Sequence, residues 1–330
     1  MAVHEIIEQV ERSKQHQDHY AQLIVSLKQL IQLSSDIPHP GSGNTMSRWQ
    51  MLAQVAALDL NLVKWFESHL DALSILHELG YSTKSDVIYA VWAAEASPRP
   101  IVVKENCCHG IKSWCSGAGI VEQALMTYRD ENQQSQLILV DISHPKIFVD
   151  HNVWQAVGMQ HSATANIHFD QVPIQKIAAP DAYLTRAGFW HGAAGIAACW
   201  YGASRHLAKT LYESLKNKPH PYKSMYLGEV TTALNLNRQY FYDVARRIDQ
   251  APQHSHEYHI RILRQFTEQT ARLVIERVGL AMGAGPFCQD GKFSQCVADL
   301  SIFIRQTHGA FDLEQIGQLT VQQEIEQWIL

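Results

Sequence analysis

The sequence predicts an α+β chain in three parts: helices over residues 1–80, an antiparallel β domain over 81–180 and a helical bundle over 181–330. Two observations carry this. Apolar residues recur at three- and four-residue steps toward both ends of the chain, the period of an amphipathic helix. Between those ends stand short runs rich in Val, Ile, Tyr and Phe, separated by polar turns, as in a sheet. A chain of 330 residues is also long enough for two or three packed units.

The first helix is expected from Met1 to about Leu33, on the spacing of Ile6, Val10, Leu23, Ile24, Leu27, Leu30 and Ile31. The stretch SSDIPHPGSGN breaks it with two prolines and two glycines. A second helical block runs from about Ser47 to Gly80. Its length and uniform apolarity predict one or two buried helices that end at the glycine. The runs VIYAVWAAEA, PIVVKENCCHGIKSWCSG, ALMTYR, SQLILVDI, KIFVD and ANIHFDQVPI are the expected strands, ending near Pro180. From Gly188 the chain is helical again. HGAAGIAACWYGASRHLAKTLYESLK is followed by a KNKPHP turn, a helix to about Ile248, another from about Glu257 to Leu280 and a last one from about Lys292 to His308. Four such helices on short loops predict an antiparallel four-helix bundle.

Composition removes several function classes. The net charge is −5 with scattered basic residues, which argues against a nucleic-acid partner held by phosphate contacts. There is no apolar run of about 18 residues to span a membrane. The N-terminus MAVHEIIEQVERSK lacks the unbroken apolar core of a signal peptide, so a cytoplasmic location is expected. Six cysteines without a CxxC pair predict reduced, mostly buried thiols rather than a metal site or disulfides. Most of the 18 histidines, such as His16 and His19, are expected on solvated helix faces.

Four segments, in order, resemble the acyl-CoA dehydrogenase superfamily. HGIKSWCSGAG (109–119) resembles its lysine–x–aromatic–x–Thr/Ser strand. VGMQHSATANIHFDQVPI (157–174) resembles its Gly-Met…Ser-x-Thr…Phe-Asp-x-Val-x-Val hairpin. GAAGIAACWYGASRHLA resembles the first bundle helix, with Gly202 at its glycine. MGAGPFCQD resembles the glycine-rich turn before the last helix. The resemblance implies N-terminal helices, here shortened, a β-barrel-like middle domain and a C-terminal four-helix bundle. It also implies a flavin cofactor, FAD or alternatively FMN, an acyl-CoA or other small-molecule substrate, and a homodimer or homotetramer.

It implies roles for particular residues as well. Trp114 and Ser116 would lie against the flavin ring, the indole covering one face and the hydroxyl donating to a ring acceptor; Trp114 could equally be a core tryptophan. Glu95 lies in VWAAEA, which resembles the flavin-facing Thr/Ser-Glu turn, with Ala94 in the hydroxyl's place. Gly283 and Gly285 would let backbone approach the cofactor pyrophosphate, or simply turn between helices.

The chain departs from the family where the chemistry needs a carboxylate to remove a substrate α-proton. The family keeps that glutamate at one of two places, which here read FWHGAAG, with Gly192, and FIRQTHGAFD, with Thr307 and His308. Asp299, Asp312 and Glu276 are other candidate bases. The arginine motif for the flavin diphosphate is replaced by Lys216-Asn217-Lys218-Pro219-His220, and the glutamine before the glycine-rich turn by Gly279. Two-component flavin monooxygenases of the same superfamily resemble the chain in Lys112–Gly117 and in a histidine where His308 stands. There it can hydrogen-bond a flavin hydroperoxide; a histidine favoured by a helix C-terminal dipole is the other reading. His191, beside Gly192, is a second candidate. Three functions therefore stand: oxidation of the CH–CH bond of an acyl thioester, flavin monooxygenation, and a degenerate non-catalytic role.

Overall fold

A computed structural model describes residues 19–323 together with Ile6, Glu8, Trp328 and Ile329. The rest of the helix expected over residues 1–18 lies outside the described residues. Its continuation is α1 (His19–Ile31), which buries Leu23, Leu27, Leu30 and Ile31 along one stripe. The apolar block that follows is two helices, α2 (Thr45–Leu58) and α3 (Leu60–Glu78), separated at Asp59, whose backbone is extended (φ −158°, ψ 126°). Gly80, at φ +78°, ends α3 as expected. The Tyr81 N–H reaches Leu76 O (2.8 Å) and the Gly80 N–H reaches His77 O (3.1 Å), a paired closure that needs a left-handed residue.

The predicted strands form as β1 (Tyr89–Trp92), β2 (Val102–Lys104), β3 (Cys107–Cys115), β4 (Gln123–Arg129), β5 (Ser135–Asp141), β6 (Ile147–Asp150) and β7 (Ala165–Pro173), with β8 (Gln175–Ile177) added. They make two four-stranded sheets, β1-β4-β5-β8 and β2-β3-β7-β6. All pairs are antiparallel except β1 with β4. That exception corrects the expectation of a purely antiparallel domain. Between β1 and β4 the chain passes through β2 and β3 of the other sheet, and such an excursion lets it return in its original direction, which a hairpin cannot.

Contacts divide the chain into two compact units, one built from Asn61–Phe189 and the chain before Pro40, the other from Pro40–Leu60 and the chain from Trp190 onward. In the first, α3 lays Ala72, Ile75 and Leu76 on Tyr89, Leu125, Leu137 and Ile177 of the β1-β4-β5-β8 sheet. Each large apolar side chain buried there contributes about 1.5–3 kcal/mol. The same helix covers the sheet edge: the Val91 N–H donates to Ser68 Oγ (2.9 Å) and the Tyr89 N–H to His69 Nδ1 (3.2 Å). A short turn, α4 (Ala182–Thr185), closes the unit.

The second unit holds α5 (Gly188–Asn217, from Trp190 on), α6 (Pro221–Gln250), α7 (Glu257–Met282), α8 (Ala284–Gln289), α9 (Gly291–Phe303) and α10 (Ala310–Val321). Pro221 opens α6 at a position where its missing N–H costs nothing. Asp290 caps α9 by accepting from the Lys292 and Phe293 N–H groups. Helix α2 is part of this unit. Asp249 of α6 accepts from Thr45 N–H and Oγ1 at its start, and Trp49 meets Phe241 edge-on at 5.7 Å. At Gly202 helix α5 touches α2 so closely that a Cβ would lie 2.1 Å from Ala53 O.

Two local expectations are corrected. The last predicted helix stops at Phe303, continues as a 3-10 turn over Ile304–Gln306, and gives way to α10 after Gly309 at φ +52°. His308 therefore stands in a connection, not at a helix C-terminus. The glycine-rich stretch is a break at Gly283 (φ +68°) followed by α8, within which Gly285 is helical. All six cysteines are unpaired; Cys108, Cys115 and Cys199 are buried and Cys288 is exposed. Among the described residues, no helix is long and apolar enough to cross a membrane.

Candidate functional site

The two motif segments of the β domain meet in space, because β3 pairs with β7 along its length. The register shifts between Lys112 and Cys115, a bulge that adds a residue to β3 and re-aims its side chains. Trp114 sits on that bulge at φ +58° and is 62% exposed. A left-handed backbone at a large non-glycine residue costs of order 1–3 kcal/mol and is retained where function or packing demands it. The packing explanation fails for a tryptophan directed into solvent. Met159 (φ +58°) and Ala163 (φ +48°) share this strained conformation on the neighbouring loop.

That loop is riveted to the end of β3. The Gly117 N–H donates to Ser162 O (2.8 Å), as does Trp65 Nε1 (2.7 Å), and Trp92 Nε1 donates to Ser116 O (3.1 Å). A line of hydroxyls runs inward from Ser116 Oγ to Thr164 Oγ1 (3.1 Å), to Ser162 Oγ (2.7 Å), to Met159 O (2.6 Å). The terminal carbonyl can only accept, so each hydroxyl hydrogen is directed inward along the line. Ser116 therefore presents lone pairs outward, and donating to a ring acceptor requires it to release Thr164.

Beneath this strand Lys112 is buried, its Nζ donating to Thr127 O and to Thr127 Oγ1 (3.3 Å) on β4. Burial pushes its ammonium down to about 8, against the opposing pull of Glu95 and Cys115. Glu95 is engaged by Arg129 (Nε to Oε2, 3.0 Å), which also donates to Gln133 O (3.1 Å).

In the second unit, the two stretches that would carry a base are drawn together by one side chain. Arg264 of α7 donates to Ala193 O and to Gln306 O (3.0 Å), and lies over the Trp200 ring at 5.0 Å. Arg261, one turn away, donates to Asp312 Oδ1 (2.6 Å) and Glu257 Oε1 (2.8 Å) and covers Trp190 at 4.2 Å. Asp312 Oδ2 accepts the His308 backbone N–H (3.0 Å), so both carboxylate oxygens are engaged. The His308 ring is 74% exposed. His191 is buried, with Nε2 at 2.9 Å from His254 O and its ring 5.9 Å from that of His256. Of the other acidic candidates, Asp299 accepts from Gln295 Nε2 (2.7 Å) and Glu276 accepts from Arg277 (2.9 Å). Gly283 and Gly285 border open space, with nothing within 4 Å of an added Cβ.

Sequence reasoning missed Thr164, Ser162, Arg261 and Arg264. The arginines had a signal: in HIRILRQF they share the apolar face with Ile260 and Leu263, and a charge on a buried stripe implies a buried partner. Ser162 and Thr164 stand in the Ser-x-Thr of the hairpin motif, but their line to Ser116 depends on which loop residues meet across two strands.

No family model matches the chain, and no curated protein does. Solved structures are similar to it nearly end to end. Butyryl-CoA dehydrogenase from Megasphaera elsdenii is similar with a TM-score of 0.80 at 13% identity, over 97% of this chain and 96% of that one. TdsC, the dibenzothiophene monooxygenase from Paenibacillus sp. A11-2, is similar with a TM-score of 0.77 at 15% identity, over 97% and 96%. Its structures include a complex with FMN and indole. KijD3, solved with FMN and a dTDP-linked amino-keto sugar, is similar with a TM-score of 0.78 at 14% identity, over 97% and 91%. At these identities the likeness establishes a shared fold and leaves the reaction to the residues.

Proposed function

We propose that this chain, which has the acyl-CoA dehydrogenase fold, is a flavin-dependent oxidoreductase that holds FAD or FMN against Trp114 and Ser116. The observation that carries the reading is Trp114: a broad indole kept in solvent by a strained bulge, beside a hydroxyl fixed from behind. A flavin ring has a flat apolar face and polar edges, and this pair offers a complement to both. When bound, the flavin supplies a two-electron acceptor and, reduced, a partner for oxygen. Trp114 shields one ring face from water. The Ser116 lone pairs suit a ring N–H, with Thr164 and Ser162 setting the hydroxyl's direction. Lys112 places a buried cation behind the same strand, where it favours negative charge on a neighbouring ring.

Between the two flavin chemistries, oxygen use on a small organic substrate is favoured over dehydrogenation of an acyl thioester. Removing an α-proton requires a positioned carboxylate, whereas the two stretches where the superfamily keeps one carry Gly192 and His308 here. The adjoining carboxylate, Asp312, is committed to Arg261 and the His308 backbone. The His308 ring is exposed and can donate a hydrogen bond, as oxygen chemistry needs. Dehydrogenation stays as the second reading on the likeness to butyryl-CoA dehydrogenase. A homodimer or homotetramer in the cytoplasm fits either.

The test is a pair of reactions. Flavin-loaded protein mixed with butyryl-CoA under argon keeps its visible band if the proposal holds, and reduced flavin supplied by a reductase gives oxygen-dependent substrate turnover. Anaerobic bleaching by an acyl-CoA would establish the dehydrogenase instead. A protein that retains no flavin and turns over nothing would support the non-catalytic role.

A further inference from the structure

A cleft of about 420 Å³ opens within the second unit between α2, α5 and α6, inside the size range of small-molecule sites. Its floor is Trp49 and Phe241, both almost fully buried, and Tyr201 meets Phe241 edge-on at 5.5 Å. Tyr242 stands at the rim, 3.5 Å from Gln50 Nε2. The cleft has a structural cause. Helices α2 and α5 touch backbone to backbone at Ala53 and Gly202, and beyond such a crossing helices diverge. The small side chains of Ala53 and Ala198 leave the gap open.

Two cations line the cleft, Arg205 from α5 and Arg238 from α6, and no acidic residue does. Among the described residues neither guanidinium has a carboxylate or hydrogen-bond partner. Both bear on the Tyr201 hydroxyl, opposing the upward push that burial gives its pKa. Paired unneutralised arginines on a chain of net charge −5 are poised for an anion. The rings beside them suit a flat apolar body.

We infer that this cleft binds a planar aromatic anion, its carboxylate or phosphate held by Arg205 and Arg238 and its ring lying against Tyr201, Phe241 and Tyr242. The inference is independent of the flavin reading, since it uses none of the residues on which that reading rests. Two probes separate the sources of the anion: 2-naphthoate for a carboxylate and adenosine monophosphate for a phosphate, each titrated calorimetrically into the full-length protein. Saturable one-to-one binding of either is expected, with 2-naphthamide, the neutral analogue, binding far more weakly than 2-naphthoate. The Arg205→Gln/Arg238→Gln double variant should bind about tenfold or more weakly, the loss expected for charged hydrogen bonds. Its thermal midpoint should be unchanged, because both arginines are exposed and unpaired. Absence of binding by both probes up to about millimolar concentration would overturn the inference. So would equal binding by the double variant, or a naphthamide that binds as well as the naphthoate.

Discussion

Gly202→Ala adds one methyl group to a helix and should nevertheless destabilise the protein. The new Cβ would lie 2.1 Å from Ala53 O and 2.6 Å from Ala53 Cα, where ordinary contact begins at 3.4 Å. The obstacle is backbone, so no rotamer change relieves it and α2 and α5 must separate by more than about 1 Å, the kind of shift that overpacking forces. Helix α2 resists that movement, being tied to α6 through Thr45–Asp249 and Trp49–Phe241. Overpacking of this severity costs about 3 kcal/mol or more, and the better helix propensity of alanine returns about 1 kcal/mol. A net loss of roughly 2 kcal/mol remains, or about 4–8 °C in the melting transition of a unit this size. Gly228→Ala is the matched control: it lies in α6 with nothing within 4 Å of the added atom, so it should gain up to about 1 kcal/mol. Urea and thermal unfolding followed by circular dichroism measure both. A Gly202→Ala protein as stable as the wild type would refute the close crossing.

Other perturbations follow from the same geometry. Since Trp114 stands at φ +58°, Trp114→Gly should be about 1 kcal/mol more stable than Trp114→Ala in urea melts; the reverse order would deny the strain. Lys112 is held down to about 8 by burial, below its unfolded value, so the unfolded chain binds more protons between about pH 8 and 10.5. The penalty for burying the ammonium is thus full below pH 8 and fades as pH rises through that window. Relative to Lys112→Met, the wild type should gain about 3 kcal/mol across it; a flat difference would count against a buried charge. Asp312→Ala should cost about 1–3 kcal/mol in urea melts, since it removes one acceptor of Arg261 and the acceptor of the His308 N–H while Glu257 still pairs the guanidinium; an unchanged midpoint would deny the buried pair.

Much of the fold was legible because it rests on local periodicity. The runs VIYAVWAAEA to ANIHFDQVPI became β1 to β7, and KNKPHP and Gly80 ended helices for the conformational reasons that Pro and Gly supply. What periodicity could not carry is pairing. The parallel β1–β4 neighbours and the two separate sheets depend on contacts distant in sequence. At the end of the chain, the helix expected to reach His308 stops at Phe303, the backbone is extended at Thr307, and a further helix, α10, starts after Gly309 in a left-handed conformation. In the candidate site, Trp114 and Ser116 were found by motif resemblance. The line through Thr164 and Ser162 to Met159 O, which decides how Ser116 can hydrogen-bond, emerges only when β3 and β7 are paired. Likewise Gly192 and His308 stood out as departures, but Arg264, which ties their stretches together, is visible only in three dimensions.

The most direct test of the central claim is a flavin titration followed in the visible band, with wild type and Trp114→Ala compared under identical conditions. The wild type should retain FAD or FMN through desalting with a perturbed spectrum. The variant, equally folded because the indole is largely in solvent, should bind about tenfold or more weakly, the loss expected when an aromatic contact surface is removed. A wild-type protein that binds neither flavin, or a variant that binds as tightly, would contradict it.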